Sequence, residues 1–461
     1  MGPGAGDRTA PLPGWLSGRA AVVGLGTSNL ALVRYLSARG AKLTGFDRKP
    51  AEELGPVPRE LAALGVDCHL GPDYLKHLKG FDVIFLTPGM KKSLPEVERA
   101  RAEGAVISSE THLFFAMCRG RVVGVTGSAG KSTTTTLTGL MLEEAGVPAV
   151  VGGNIGRPLI EQVEAIGPET RVVMELSSFQ LELMRQSPWL SAILNLSPNH
   201  LDVHASFEEY VEAKANIFRF QGPGDACVLN ADSGPCLALA PRCPGRVVTF
   251  SRRKVLERGA CLEGGRLTVR LDSAPETICR VEEVALRGLH NLENLLAASA
   301  LAILAGGTPE ACGRVARTFP GLEHRLEPVR ELDGVIYIND SIGTSPDRTL
   351  AALEVFSQPL VLIAGGYDKK IPFDELGRAL AQRVKALVLM GATAPKIEAA
   401  WMLRSISRSP LALTAGSRSV RGYRKLRQVA MLHTSMPTRA LSRARLLIPS
   451  ASVSRLSSSF L

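Results

Sequence analysis

The segment RVVGVTGSAGKST, residues 121–133, decides the fold of this chain. Its apolar first half predicts a buried strand, and a glycine-rich turn leads from that strand into a helical stretch that runs to Ala145. A strand, a glycine-rich loop, a Lys-Ser pair and a helix in this order are typical of phosphate-binding loops, although Val125 stands where the usual spacing has its first glycine. We therefore predict that this segment binds the phosphates of a nucleotide.

Each part of this loop has an expected role in phosphate binding. Backbone N–H groups wrap the phosphates, a lysine neutralises their charge, and a hydroxyl group reaches Mg²⁺. A glycine-rich turn without a ligand is the alternative interpretation. The predicted phosphate-binding residues are Gly127, Ser128, Gly130, Lys131, Ser132 and Thr133.

Polar residues follow two further predicted strands. An apolar strand over residues 171–174 ends at Glu175, where a carboxylate can reach the metal of a nucleotide, and a strand over 192–196 leads to His200. Either residue alone is more often a solvated cap or a satisfied loop residue. Because both come in order behind a phosphate loop, at strand ends of one sheet, we predict that they share its site.

The first hundred residues predict a Rossmann-like sheet. A strand runs into a glycine turn at 24–26, a helix follows over 30–39, and a second strand ends at Asp47. Asn29 stands where a dinucleotide fingerprint has its third glycine, and nothing downstream supports hydride chemistry, which disfavours a dehydrogenase. Further strands separated by helical segments indicate a third α/β unit from about Gly321.

Length and composition limit the class of protein. A chain of 461 residues suggests two or three domains, and 45% apolar with 21% charged residues is a globular composition. No apolar run approaches the roughly 20 residues of a membrane-spanning helix. The eight cysteines contain no CxxC pair, which indicates reduced thiols, so we expect a cytoplasmic protein without a membrane segment.

The net charge of +10 is confined to the C-terminal tail. Residues 399–461 contain 11 Lys and Arg and no Asp or Glu, which leaves 43 basic against 44 acidic residues in 1–398, a net charge of −1. With 13 serines as well, the tail resembles a stretch translated out of frame, and this is the interpretation we favour because the break falls inside an expected domain. A basic arm that binds nucleic acid or anionic lipid is the rival interpretation.

Eight motifs in colinear order resemble the Mur ligases, ATP-dependent amide-bond-forming enzymes of peptidoglycan precursor synthesis. The resemblance covers about residues 18–398, and the GLGTS loop and GGYDKKIPFDEL from Gly365 resemble the branch that adds D-glutamate. The DNPR signature of the branches that add diaminopimelate or lysine is absent. The eight motifs are VTGSAGKST from Val125, GNIG from Gly153, ELSSFQLE from Glu175, LSPNHLDVH from Leu196, YVEAK from Tyr210, GLHNLEN from Gly288, LEHR ending at Arg325, and INDSIGTSPDRT from Ile338.

The resemblance implies a three-domain α/β ligase. Its parts would be a Rossmann-like UDP-substrate domain (1–110), a central P-loop-type ATPase domain (111–320), an incomplete Rossmann-like amino-acid-binding domain (321–400) and the basic Ser/Arg-rich tail (401–461). It implies ligation of D-glutamate to UDP-N-acetylmuramoyl-L-alanine through an acyl phosphate. We expect a monomer that binds neither nucleic acid nor a membrane.

The resemblance also implies site residues and cofactors, namely ATP, two Mg²⁺ ions and a lysine carbamate formed from CO₂. The implied catalytic residues are Lys131, Glu175, His200 and Lys214, and the implied metal ligands are Ser132, Glu175, His200 and Lys214 as its carbamate. Beyond the phosphate loop, the implied ATP contacts are Asn291, Asn294, Arg325 and Asp340. The implied substrate contacts are Leu25, Thr27, Ser28, Asp47, Gly89, Asn154, Thr344 and Lys369.

Three positions depart from the family pattern. Ala129 replaces an asparagine of the phosphate loop, Asn199 replaces an aspartate, and Ile342 replaces a lysine. The alternatives are another Mur-type or folylpolyglutamate-type ligase, although the first-domain loop argues against folate. A nucleotide-binding homologue that lost activity with its C-terminus is a further alternative.

Overall fold

The computed structural model describes residues 12–16, 18–200, 203–272 and 274–402, together with the backbone of three strands at 410–414, 428–434 and 445–449. The chain divides into two compact units. The first comprises the residues up to 196, 208–282 and 293–315, and it contains two sheets. The second comprises 197–207, 283–292 and the chain from 316, and it contains the third sheet.

The first sheet has five parallel strands in the order β3-β2-β1-β4-β5, which confirms the predicted strand–helix–strand start. Buried apolar side chains such as Val23, Phe46 and Ile84 form its core. The strands are β1 Arg19–Val23, β2 Lys42–Asp47, β3 Asp67–Leu70, β4 Val83–Leu86 and β5 Val106–Ser108. The helices are α1 Thr27–Ser37, α2 Val57–Ala63, α3 Pro95–Ala102 and α4 Glu110–Met117.

Asn29 explains why the first glycine turn lacks its third glycine. The side chain is 1% exposed, and its Nδ2 donates to the carbonyls of Val23 at 3.0 Å and Gly24 at 2.8 Å. The amide therefore fixes the turn between β1 and α1 from inside, a role that a glycine could not fill because it has no side chain to donate.

The second sheet has nine strands in the order β14-β13-β12-β11-β10-β9-β6-β8-β7. Its strands are parallel except for the antiparallel pairs β12/β13 and β13/β14. The strands are β6 Arg121–Thr126, β7 Ala149–Gly153, β8 Arg171–Glu175, β9 Leu190–Ile193, β10 Ala226–Asn230, β11 Arg246–Ser251, β12 Gly259–Glu263, β13 Arg266–Arg270 and β14 Glu276–Arg280. The helices that follow in the chain are α5 Lys131–Glu144, α6 Ser178–Leu181, α7 Phe207–Arg219, α8 Gly234–Leu237, α9 Leu289–Leu304 and α10 Pro309–Thr318.

The centre of the second sheet positions the site. β6 lies between β8 and β9, with Val125 opposite Glu175 and Thr126 opposite Ile193. Because parallel strands end at the same edge, the residues that follow these three strands meet there, which is where open α/β sheets bind ligands.

The third sheet has seven strands in the order β15-β16-β20-β17-β18-β21-β19. The core beside it includes Leu362 from the sheet and Leu380 and Trp401 from two of the helices. The strands are β15 Glu327–Leu332, β16 Val335–Asn339, β17 Leu360–Gly365, β18 Val384–Met390, β19 Pro410–Thr414, β20 Gln428–Thr434 and β21 Arg445–Pro449. The helices are α11 Pro346–Val355, α12 Asp374–Arg383 and α13 Ala394–Met402.

The tail contributes three strands to this sheet. β20 lies between β16 and β17 and is parallel to both, whereas β19 and β21 form an antiparallel pair beside β18. From the sequence we expected a third domain that lacks its final strands, and thus no strand in this segment. Its side chains and the rest of residues 403–461 lie outside the described residues, so loss of frame stays a prediction.

Two further observations concern the class of protein. Among the helices of the described residues, none has the length and apolar character that crossing a membrane requires. All eight cysteines fall within the described residues, and none of them forms a disulfide.

Replacing Asn29 by alanine should lower the free energy of unfolding by about 1–3 kcal/mol, because two backbone carbonyls at the turn lose a donor. Urea denaturation of both proteins measures the difference. Lys79→Ala, at an exposed position of the same domain, should change stability by less than about 0.5 kcal/mol. An Asn29→Ala protein as stable as the wild type would contradict this role.

Candidate active site

The phosphate loop connects β6 to α5 through two glycines with left-handed backbone. Gly127 has φ 155° and Gly130 has φ 82°, conformations that side chains other than glycine rarely adopt. A Cβ on Gly130 would lie 2.3 Å from Oδ1 of Asn294. The loop therefore requires glycine at both positions, and α5 starts at Lys131 with its N-terminus at the sheet edge. A helix N-terminus favours an anion.

Glu175, at the end of β8, forms hydrogen bonds with two other predicted residues, Ser132 and Asn154. Its carboxylate is 3% exposed and accepts a hydrogen bond from Ser132 Oγ at 2.7 Å. The second carboxylate oxygen accepts one from Asn154 Nδ2 at 2.9 Å. Thr133 is buried at 1% exposure, so the hydroxyl that the loop presents to Glu175 is that of Ser132.

Lys131 and Lys214 converge on one carbonyl of the loop. Lys131 Nζ donates to the carbonyl of Gly127 at 3.1 Å, and Lys214 Nζ donates to the same carbonyl at 3.0 Å. Lys214 lies on α7, is 1% exposed, and also donates to Thr126 Oγ1 at 3.1 Å. Burial, and secondly the charge of Lys131, lower the pKa of Lys214 well below 10.5.

Two residues of this site escaped the sequence analysis. Tyr210, on α7 with Lys214, shares a hydrogen bond with Ser128 of the loop, with 3.1 Å between the two oxygens, and its ring centre lies 4.7 Å from Lys214 Nζ. Asn195, just after β9, bonds to the backbone of the loop. Asn195 lies in the strand predicted over 192–196, and Tyr210 begins the YVEAK motif that contains Lys214. The sequence does not show that either residue folds next to the phosphate loop.

The predicted UDP-binding residues meet at the carboxyl edge of the first sheet. The backbone N–H of Leu25 donates to Asp47 at 2.8 Å, which joins the loop after β1 to the end of β2. Thr27 and Ser28 begin α1, and Gly89, with φ 83°, follows β4. The structure thus brings these five predicted residues to one edge.

Ion pairs join the first-sheet part of the first unit to the second-sheet part. Lys92, three residues beyond Gly89, donates to Glu182 at 2.8 Å and is only 10% exposed. Arg39, two residues beyond the end of α1, pairs with Glu164 at 2.8 Å, and Tyr35 on α1 donates to the same carboxylate at 2.9 Å.

The other predicted ATP contacts divide between the two units. Asn294 lies beside the loop and accepts a hydrogen bond from Thr134 Oγ1 at 3.3 Å. Asn291, Arg325 and Asp340 belong to the second unit, where Asp340 accepts the backbone N–H of Leu326 at 3.1 Å. Burial lowers the pKa of the neighbouring His290 to about 4, and the charge of Arg325 acts in the same direction.

His200 and the predicted amino-acid contacts also lie in the second unit. His200 has a left-handed backbone, φ 55°, and its N–H donates to Oδ1 of Asn199 at 3.0 Å. Lys369 Nζ donates to Thr344 Oγ1 at 2.9 Å, and both line a cavity of about 300 Å³.

The Ile342 departure removes a lysine but leaves a cation nearby. The Ile342 side chain is 40% exposed, and its carbonyl accepts a hydrogen bond from Arg348 Nη1 at 2.8 Å. The guanidinium group therefore brings positive charge beside the position of the missing lysine.

The predicted metal ligands supply only part of the coordination shell that Mg²⁺ needs. Ser132 and Glu175 supply a hydroxyl and a carboxylate oxygen 2.7 Å apart, the hard ligands that Mg²⁺ prefers. Within the described part of the chain, no group of three or more His, Cys, Asp and Glu side chains could hold a metal ion. This sparse set fits a Mg²⁺ that keeps waters and takes phosphate oxygens.

Three family models match the chain in order. Residues 18–109 match the Mur ligase MurD-like N-terminal domain, and residues 125–302 match the Mur ligase middle domain. Residues 324–434 match the Mur ligase glutamate ligase domain, which extends into the tail as far as the end of β20.

Curated relatives match over most of their length. The UDP-N-acetylmuramoylalanine--D-glutamate ligase of Symbiobacterium thermophilum is 54% identical over 387 residues, which cover 84% of this chain and 85% of the relative. The protein of the same name from Acetivibrio thermocellus is 47% identical over 380 residues, 82% of this chain and 81% of the relative.

Solved structures share the fold. The UDP-N-acetylmuramate-alanine ligase MurC from Thermotoga maritima superposes with a TM-score of 0.55 at 19% identity, covering 96% of this chain and 99% of that one. The MurF ligase from Thermotoga maritima in complex with ADP gives a TM-score of 0.51 at 18% identity, covering 77% and 86%.

The three sheets with their helices and the glycine-rich loop after β6 define a class of three-domain, ATP-dependent α/β ligases. The chain belongs to the Mur ligase family. This confirms the family and the three-domain α/β fold class predicted from the order of the motifs. The domain boundaries and the roles of individual residues stay predictions.

Gly130→Ala should weaken nucleotide binding about tenfold or more, because the new Cβ meets Asn294 and alanine resists the left-handed backbone of the loop. Calorimetric titration with ATP and Mg²⁺ measures the affinity. Gly146→Ala is the matched control, since its φ is 75° but nothing lies within 4 Å of its Cβ position. The control should lose stability and keep its affinity; equal affinities for all three proteins would contradict the argument.

Proposed function

We propose that this chain joins D-glutamate to UDP-N-acetylmuramoyl-L-alanine with conversion of ATP to ADP and phosphate. The observation that carries the proposal is the gathering of Lys131, Ser132, Glu175 and Lys214 around one phosphate loop. Curated relatives named for this reaction are 54% and 47% identical to the chain. The enzyme class predicted from sequence, a ligase of peptidoglycan precursor synthesis, is confirmed by these relatives.

The reaction activates a carboxylate as an acyl phosphate, which the amine of D-glutamate then attacks. Both the nucleotide and the carboxylate are anions, so the site must supply positive charge where they meet. In the proposed mechanism Lys131 lies against the transferred phosphoryl group and stabilises its charge. The N-terminus of α5 adds its partial positive charge at the same place.

Ser132 and Glu175 would hold one Mg²⁺, and His200 and Lys214 as its carbamate would hold a second. When bound, Mg²⁺ neutralises phosphate charge and orients the phosphate oxygens. Asn154 keeps the Glu175 carboxylate oriented by donating to its second oxygen. The ordered partners of Glu175 support its role as a ligand.

Lys214 is suited to react with CO₂. A buried amine with a lowered pKa is less protonated than an ordinary lysine, and only the neutral amine is a nucleophile. The neutral nitrogen would bond to the carbon of CO₂ and release one proton, which converts the amine into a carbamate anion whose oxygens can bind a metal. The charge of Lys131 nearby favours that anion.

The two substrates would bind at separate groups of residues. The edge that contains Leu25, Thr27, Ser28, Asp47 and Gly89 would bind the uridine diphosphate, and Asn154 would lie near the muramoyl group. Thr344 and Lys369, joined by a hydrogen bond beside a cavity, would bind a carboxylate of D-glutamate. A cytoplasmic location and a monomeric state stay predictions.

Two alternatives lead to different measurements. Another Mur-type or folylpolyglutamate-type ligase would turn over with a different acceptor or amino acid in a substrate panel. A homologue that is inactive because of its tail would bind ATP and the UDP substrate without turnover.

Phosphate release should require ATP, UDP-N-acetylmuramoyl-L-alanine and D-glutamate together. ATP and the substrate carboxylate form the acyl phosphate, and phosphate leaves only when the amine of D-glutamate attacks it. Lys131→Ala should reduce the rate about a thousandfold or more by removing the charge on the phosphoryl group. Lys79→Ala, at an exposed position of the first domain, is the control for loss of a lysine and should keep full activity. Wild-type activity in Lys131→Ala would contradict the role of the loop.

Lys214→Ala should also lose activity, and millimolar acetate should restore part of it by supplying a carboxylate to the vacated position. Lys214→Arg, which retains a cation but cannot form the carbamate, should not be rescued. The rate at increasing acetate concentration measures the effect. A Lys214→Ala enzyme with wild-type rates in buffer free of acetate would rule out the carbamate.

A further inference from the structure

Asn195 holds the phosphate loop by three hydrogen bonds. Its backbone carbonyl accepts the N–H of Ser128 at 2.9 Å, and its Oδ1 accepts the N–H of Ala129 at 2.8 Å. Its Nδ2 donates to the carbonyl of Ala129 at 3.1 Å. The side chain of Asn195 thus bonds to both backbone polar groups of Ala129, its N–H and its carbonyl.

The neighbouring strand end fixes the position of Asn195. The residue lies two positions beyond the end of β9, and Leu194 before it donates its N–H to the carbonyl of Thr126 at 3.0 Å. A Cβ on Gly127 would lie 3.1 Å from Cβ of Leu194, so the loop packs directly on this strand end. The sheet therefore fixes Asn195, and Asn195 fixes the loop.

The hydrogen bonds to Asn195 determine which N–H groups of the loop are left to donate to a bound anion. The N–H groups of Ser128 and Ala129 are directed at Asn195 and not toward the space in front of the loop. The first turn of a helix leaves N–H groups outside its own hydrogen-bond ladder. The donors for a phosphate are accordingly those at the start of α5, next to Lys131 and Ser132.

We propose that Asn195 is a positioning residue that preforms the phosphate loop for nucleotide. It acts through Ala129, at a point where the loop has no polar side chain of its own. The inference rests on the proposed nucleotide-binding role of the loop. A loop that is already ordered loses less conformational entropy on binding, so the benefit appears as nucleotide affinity.

Two variants test the proposal by amide hydrogen exchange of the nucleotide-free protein and by calorimetric titration with ATP and Mg²⁺. Asn195→Ala removes both side-chain bonds to Ala129, and Asn195→Gln keeps the amide group but displaces it by one methylene. Exchange at the Ala129 amide should accelerate at least about tenfold in both variants, while the Ser128 amide, bonded to a backbone carbonyl, should change less. The dissociation constant for ATP should rise about tenfold or more.

Asn230→Ala is the matched control. Asn230 is also a buried asparagine at a strand end of this sheet; its Nδ2 donates to the carbonyl of Leu194 at 2.9 Å, and its Oδ1 accepts the N–H of Asp232 at 2.8 Å. It should lose stability but keep the ATP affinity and the slow exchange at Ala129.

Wild-type exchange at Ala129 in both Asn195 variants would overturn the proposal, and so would ATP affinities within about twofold of the wild type. An equal loss of affinity in Asn230→Ala would also overturn it, because the effect would then be general stability. Failure of the wild type to turn over the UDP substrate would count against the proposed ligation alone, since exchange and ATP binding do not depend on it.

Discussion

Two lysine amines share the carbonyl of Gly127, and this convergence constrains the whole site. Two ammonium groups cannot both remain charged at such close range in a buried position without strong cost. Lys131 is partly exposed at the start of α5, whereas Lys214 is 1% exposed and has the lowered pKa. The fold therefore places two chemically identical side chains in different environments, which is the basis of the opposite tasks that we propose for them.

The sequence could predict the parts of the site that follow strand ends. Glu175 ends β8, Lys131 and Ser132 follow the glycine-rich loop after β6, and β6 and β8 are neighbours in the sheet. Parallel strands bring such residues to one edge, so order along the chain was sufficient to predict that Ser132 and Glu175 meet. The family resemblance, which the comparisons confirm, added the implied role of Lys214.

The sequence could not predict the contacts that depend on packing between distant elements. Asn195 lies 66 positions from Ala129, and Tyr210 lies 82 positions from Ser128. Neither residue type stands out, since asparagine is common after strands and tyrosine is common on buried helix faces. The tail posed a different difficulty, because its composition indicated foreign sequence while β20 completes the pairing between β16 and β17.

The most direct test of this account labels the carbon of the expected adduct on Lys214. Protein containing ¹⁵N-lysine is equilibrated with ¹³C-bicarbonate, and a two-dimensional NMR experiment detects carbon bonded directly to lysine nitrogen. We expect one such correlation in the wild type, and it should disappear in Lys214→Arg and persist in Lys79→Ala. A wild-type spectrum without the correlation, or one that Lys214→Arg leaves unchanged, would contradict the division of tasks between the two lysines.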